Sequence, residues 1–247
     1  MILQTVARSL SNRLSGIAFP HPNAIQEPDA FISSTAKRRI EEEKLLGGAS
    51  DYAVSGAIKR AIDLAASSIF LILMLPFLLA IAIWIKLDSP GPVIFRQRRV
   101  GKDGQTFTIL KFRTMVLNAE RFTGPLWAVE DDPRCTRLGR ILRRRKIDEM
   151  LQVLNVFRGE MTLVGPRPER PFFVNRLVEE VPEYPRRLLV KPGITGLAQV
   201  FQRADRDLRD VSRKQRWDLV YLEKASPWLD FKILWRTVGI ALNGRDR

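Results

Sequence analysis

LAASSIFLILMLPFLLAIAIWI, residues 64 to 85, decides how the rest of this chain is read. Its 22 residues carry no charge, and a helix rising 1.5 Å per residue would stretch them over roughly 33 Å, about one hydrocarbon thickness of a bilayer. A transmembrane helix is the first reading, and two features complicate it. Pro76, near the middle, removes a backbone hydrogen bond and bends a helix. Cations crowd both flanks, with Lys37, Arg38, Arg39, Lys59 and Arg60 before and Lys86, Arg96, Arg98 and Arg99 after. The positive-inside bias therefore selects neither orientation. A helix over about residues 58–87 that enters, breaks at Pro76 and returns to the same face satisfies both observations. A kinked single span stays open beside it, because membrane helices tolerate proline.

Upstream, residues 1–55 mix Ser, Pro, Asn, Ala and charges and read as a loosely ordered extension with a short helix from Ser34 to Leu46. No sustained apolar run follows Arg8 and Arg13, so a secretory signal is not expected and the chain should stay on the side where it is made. Downstream, Asp88-Ser89-Pro90-Gly91-Pro92 punctuates the chain, and Val93 to Arg98 alternates as a strand does. Gly101-Lys102-Asp103-Gly104 supplies a turn and Thr106 to Phe112 the return strand of a β-hairpin. The glycines around Lys102 lack the spacing of a nucleotide-binding P-loop. Ser226-Pro227 opens a helix as cap and first-turn proline. Its Trp228, Leu229, Phe231, Ile233, Leu234, Trp235, Val238 and Ile240 suit either a membrane interface or a core. No internal repeat is visible. The expectation is one small α/β, membrane-associated catalytic domain over residues 56–247, built from the broken membrane helix, a β-hairpin and interfacial amphipathic helices.

The formal net charge of +14 points to an anionic partner: nucleic acid, an anionic membrane surface or a phosphorylated substrate. With 45% hydrophobic residues the chain can bury a real core, and disorder throughout is excluded. Cys135 is the only cysteine and His21 the only histidine, which excludes a disulfide framework and a cysteine-based zinc site. His21 lies between Pro20 and Pro22, so a Ser-His-Asp or Cys-His mechanism has no held base.

Asp148 and Glu149 follow directly on Arg134 to Lys146, a stretch with seven cations in thirteen residues and no acid. Cations can hold an anionic substrate, while an ionised carboxylate can attack phosphorus or hold Mg²⁺. The bland alternative is that Asp148 merely caps a helix whose face carries Ile147, Leu151 and Leu154. Proline or glycine loops stand beside a cation three times, at Arg113, Arg167 and Lys191. A rigid loop holds a cation at low entropic cost, which suits a diphosphate.

Taken in order, Lys111-Phe112-Arg113-Thr114-Met115, Asp148-Glu149-Met150-Leu151-Gln152, Leu163 to Pro171 (LVGPRPERP) and Lys191-Pro192-Gly193-Ile194-Thr195-Gly196 resemble the bacterial sugar transferase family over roughly residues 57–243. These are the monotopic polyprenyl-phosphate hexose-1-phosphate transferases that begin exopolysaccharide and related glycan assembly. The resemblance implies transfer of a sugar-1-phosphate from a UDP-sugar to polyprenyl phosphate at the cytoplasmic face of the bacterial inner membrane, with UMP released. It implies a re-entrant helix broken at Pro76, an acidic dyad at Asp148 and Glu149, and an arginine at Arg143. Two departures are visible. The family usually has Asp-Glu-Leu-Pro-Gln where this chain has Leu151, and Leu75 precedes Pro76 where some members have serine.

The expected mechanism has Asp148 ionised, its pKa lowered by a helix N-terminus and by Arg143 and Arg144, and attacking the sugar-bearing phosphorus. Mg²⁺ held by the dyad and the diphosphate would offset anion–anion repulsion. Glu149 is open between holding the metal, orienting Asp148 and managing a proton. Arg143, Lys111, Arg113, Arg167 and Lys191 are the candidate phosphate and nucleotide contacts. The competing class is a non-enzymatic anchor for anionic lipid or nucleic acid. It leaves the acidic pair unexplained, and no aromatic residue stands among the cations from Arg134 to Lys146 as single-strand binding would want. No nucleic-acid partner is therefore expected. The identity of the sugar and any homo-oligomer are left open.

Overall fold

The computed structural model describes residues 31–48, 56–119, 132–202 and 208–243. His21, Arg203 and Arg206 lie outside the described residues. The described chain is mostly helical, and its sheet content is confined to two two-stranded pieces, so the expected α/β character holds only in this reduced form.

Helix α1, Ser34–Glu43, starts where the Ser33 hydroxyl accepts from the Ala36 amide, and runs on into a π turn. It is built into the domain. Ile32, Ala36 and Ile40 are buried with Val100, Val174, Leu177, Tyr184 and Leu189, and Arg39 donates to the carbonyls of Val178 and Pro182. The 34–48 part of the expected loose extension thus carries core side chains.

Helix α2, Gly56–Asp88, covers 33 residues and contains Pro76 within the helical run. Asp63, Ser67, Leu78, Ile81 and Ile85 are buried, and Leu71 and Met74 pack between them. The spacing of three and four residues makes one narrow stripe against the domain. Around the rest of the helix Ile69, Ile72, Leu73, Leu79, Ile83 and Trp84 are exposed. Only 17% of its most apolar 18-residue window is buried, which is unlike the core helix of a soluble domain, and its length and composition suffice to cross a membrane.

Both ends of α2 are fastened to the same body. At the start, Lys59 pairs with Asp230 and donates to the Tyr221 hydroxyl, Arg60 donates to the carbonyls of Val156 and Phe157, and the Asp63 carboxylate accepts the Leu163 amide at 3.0 Å. At the end, Arg113 donates to the carbonyls of Ser89 and Pro90 and to the Ser89 hydroxyl.

Strands β1 (Ile94–Val100) and β2 (Thr106–Phe112) form the expected antiparallel hairpin, with Phe95 opposite Lys111 and Arg99 opposite Phe107. Its turn places Asp103 at φ 54° and Gly104 at φ 73°, a left-handed pair that suits the Asp-Gly sequence. Helix α3, Arg137–Arg144, is capped by Thr136, whose hydroxyl accepts the Gly139 amide. It packs so closely that a Cβ at Gly139 would collide with the Thr114 backbone. After the dyad come α4 (Gln152–Arg158), β3 (Thr162–Val164) and α5 (Pro171–Glu180). Strand β4 (Gly193–Thr195) pairs with β3 in parallel, and α6 (Leu197–Phe201), α7 (Leu208–Lys224) and α8 (Pro227–Asn243) close the chain. On α8, Ile233 is buried beside Leu229 and Leu234, as a core helix requires, while Trp228, Phe231, Trp235 and Val238 are exposed on the other face.

Candidate active site

The dyad does not begin a regular α-helix. Lys146 takes a left-handed backbone at φ 56°, Ile147–Leu151 forms a 3₁₀ turn, and α4 starts only at Gln152. In a 3₁₀ turn residues three apart eclipse, so Asp148 and Leu151 are buried together. Leu151 joins Leu110, Phe112, Leu138 and Leu142 in a core, so the position where the family pattern has proline is here held by packing.

Their partners separate the two carboxylates. Glu149 is gripped from two sides: Lys111 donates to its Oε1 at 2.6 Å, and Arg167 lays one nitrogen on each oxygen. Burial alone would raise its pKa, but Arg167 and Lys111 outweigh that and hold it well below the usual carboxylate range. Asp148 has no hydrogen-bond partner for its carboxylate among the described residues. Burial and then the charge of Glu149 push its pKa up to about 6, against the pull of Lys111, Arg143 and Lys146. The expectation that nearby cations lower the pKa of Asp148 is thus corrected, because its burial and the adjacent carboxylate weigh more than three cations that do not bond to it.

The other candidate residues divide. Lys111 and Arg167 reach the dyad. Arg143 acts on Asp148 as a neighbouring charge and donates to Cys135 Sγ at 3.1 Å. The bonds of Arg113 go to the joint after α2. The charged neighbours of Lys191 are Arg60, Asp63 and Lys102, which puts it near the start of α2. Pro76 lies within α2.

Sequence reasoning passed over Asn155, which is fully buried. Its side chain accepts the Leu110 amide and donates to the Thr108 carbonyl, so it continues the edge of β2 and docks α4 beside the strand that carries Lys111. An asparagine inside an otherwise apolar helix face was the available signal. Arg187 and Asp218 were also missed; they form an ion pair whose side chains are each 1% exposed.

The model of the family described as bacterial sugar transferase matches residues 54–244. The chain belongs to this family. Among the relatives of this chain, the UDP-N-acetylgalactosamine-undecaprenyl-phosphate N-acetylgalactosaminephosphotransferase of Aeromonas hydrophila is 41% identical over 217 residues, covering 86% of this chain and 51% of that one. The UDP-glucose:undecaprenyl-phosphate glucose-1-phosphate transferase of Escherichia coli (strain K12) is 38% identical over 219 residues, covering 85% and 47%. The exopolysaccharide production protein PSS of Rhizobium leguminosarum bv. phaseoli is 43% identical over 188 residues, covering 73% and 93%. The chain spans about half the length of the first two relatives.

A divalent metal is the group such a site would take. Among the described residues no three His, Cys, Asp or Glu side chains gather as a metal cage. Both Glu149 oxygens are engaged by cations, whereas the Asp148 carboxylate accepts no hydrogen bond among the described residues, so Asp148 is the carboxylate that could take a metal.

Proposed function

We propose that this chain transfers a sugar-1-phosphate from a UDP-sugar to polyprenyl phosphate, through a covalent intermediate on Asp148. The observation that carries this reading is the division between the carboxylates: Glu149 has both oxygens bound by Lys111 and Arg167, while Asp148 beside it accepts no hydrogen bond among the described residues. A carboxylate held fast organises a site, and an unengaged one can be the nucleophile. Asp148 attacks the sugar-bearing phosphorus, its bond to phosphorus forms as the bond to UMP breaks, and UMP leaves. A phosphate oxygen of the acceptor then attacks the same phosphorus and frees Asp148. Mg²⁺, held by Asp148 and the diphosphate, would neutralise charge between the two anions. Arg143 and the exposed side of Arg167 are placed to meet phosphate, whereas Arg113 fastens the membrane helix.

The same reading puts the domain on the cytoplasmic face of the bacterial inner membrane, monotopic, with α2 entering and leaving by one face. The support is that Lys59, Arg60 and Asp63 at its start and Ile85 to Pro90 at its end bond to one body. The exposed Trp228, Phe231 and Trp235 of α8 would rest at headgroup depth.

The test is a screen of UDP-sugars with purified full chain, polyprenyl phosphate and Mg²⁺, reading UMP. Release with one donor, and without acceptor a single burst of UMP equal to the enzyme with added mass on the Asp148 peptide, is expected. Vesicle binding with no UMP from any donor would overturn the reading in favour of a membrane anchor.

A further inference from the structure

The segment that delivers Arg167 to Glu149 is held in an unusual way. Four consecutive carbonyls are engaged by donors from three separate segments, two of the donors being neighbours at the end of β1. Gly193 N–H donates to Pro166 at 2.9 Å, Arg187 Nη2 to Arg167 at 2.9 Å, Arg99 Nη1 to Pro168 at 3.0 Å and Val100 N–H to Glu169 at 2.9 Å. The prolines at 166 and 168 fix their own φ angles, and Pro168 restricts the residue before it. Arg167 is thus confined by the proline that follows it, and its carbonyl accepts from Arg187.

Arg187 is itself immobilised. Its Nε donates to Asp218 at 2.9 Å and its Nη1 to the Tyr184 hydroxyl at 2.8 Å, and the guanidinium lies over the Tyr184 ring. It is 2% exposed, Asp218 1% and Tyr184 0%, so none of the three reaches a ligand. A buried ion pair is costly to desolvate and is weak evidence for stability in itself. Here Nη2, which also faces Asp218, donates to the backbone of the residue that grips the dyad.

We propose that Arg187, locked by Asp218 and Tyr184, is a positioning residue for the transfer reaction: by fixing the Arg167 carbonyl it aims the Arg167 guanidinium at Glu149. A lysine would keep the charge but lacks the planar fork that bonds Asp218, Tyr184 and a carbonyl together. The proposal rests on the reading of Arg167 and Glu149 as parts of the active site.

A double-mutant cycle on UMP release tests it, with Arg187→Lys, Arg167→Lys and both together in the full chain. Arg187→Lys should lower kcat roughly ten- to hundredfold, as displaced catalytic groups do, with KM for the UDP-sugar little changed. In the Arg167→Lys background the same change should cost less than about twofold, because the group it positions is already gone. If Arg167→Lys is impaired and the two losses multiply, the site reading stands and the positioning role is overturned. If Arg167→Lys alone turns over at the wild-type rate, the site reading fails and the proposal falls with it. Should Arg187→Lys not fold, Tyr184→Phe removes one anchor of the guanidinium while keeping the ring. It runs the same cycle, where a loss that vanishes in the Arg167→Lys background supports the proposal and a multiplying loss overturns it.

Discussion

Arg167 and Glu149 meet fork on fork, with each terminal nitrogen of the guanidinium donating to one carboxylate oxygen. Such paired, charge-assisted contacts fix geometry as well as energy. Lys111 then adds a third donor from the neighbouring hairpin. Glu149 is therefore the point at which β2, the dyad turn and the 165–170 loop are tied together.

Glu149→Gln should disable the enzyme by loosening this knot. Two cations lose their shared anion, and breaking a buried pair from one side costs about 3 kcal/mol. Thermal unfolding in detergent should show the loss, together with UMP release at least tenfold down. Unchanged stability would mean that the knot does not hold the fold.

Asp148→Asn should behave oppositely toward the fold. With a pKa raised from 3.8 to about 6, ionised Asp148 is disfavoured on folding. Its cost appears as pH rises from the unfolded value to the folded one and stays constant above about 6. The roughly two-unit shift corresponds to something on the order of 2–3 kcal/mol. The variant should therefore melt higher than wild type at pH 7.5, the gap should close near pH 4, and UMP release should vanish at every pH.

The rate should carry the same titration. If Asp148 must be ionised to attack, single-turnover UMP release should fall about tenfold per pH unit below about 6. Glu149, held well below its usual range, should add no second limb near neutrality. A profile flat from pH 7.5 to 5 would remove Asp148 as the nucleophile.

Arg113→Gln separates fastening from binding. Its guanidinium donates to the carbonyls of Ser89 and Pro90 and to the Ser89 hydroxyl. The substitution should cost about 1–3 kcal/mol of stability by removing the charge-assisted bonds that a buried guanidinium makes to partly exposed acceptors. KM for the UDP-sugar should not move; a large rise in KM would return Arg113 to the phosphate contacts.

Chelation should stop transfer, and Mg²⁺ should restore it. Restoration at full rate without divalent ion would show that Arg143, Arg167 and Lys111 suffice to neutralise the diphosphate.

Much of the framework was legible because its causes are local. The hairpin was expected at Val93–Arg98 and Thr106–Phe112 and lies at Ile94–Val100 and Thr106–Phe112, since alternation and an Asp-Gly turn need only neighbours. The Ser226-Pro227 start of α8 and the uncharged run within α2 were read for the same reason. What escaped depends on partners far apart in the chain. Arg187 and Asp218 are 31 residues apart, and Asn155 and Leu110 are 45 apart. Nothing in a window around either one announces the other. The pKa of Asp148 failed differently: the nearby cations could be counted, but its burial could not. α1 was foreseen as a helix, yet not as a wall of the core, because its partners Val174, Leu177 and Tyr184 come more than a hundred residues later.

The hairpin alternation has a consequence for how such a chain can change. Lys111 and Arg99 project from one side of the ribbon while Leu110 and Phe112 enter the core that holds α2, and Phe95 stands opposite Lys111. A strand slipped by one residue turns every side chain over. Losing or gaining a single residue in β2 would aim Leu110 at Glu149 and press a cation into the apolar core, with every strand bond still available. Substitutions along this ribbon can therefore be gradual, but changes in its length cannot, and natural variation there should preserve residue count more strictly than residue identity.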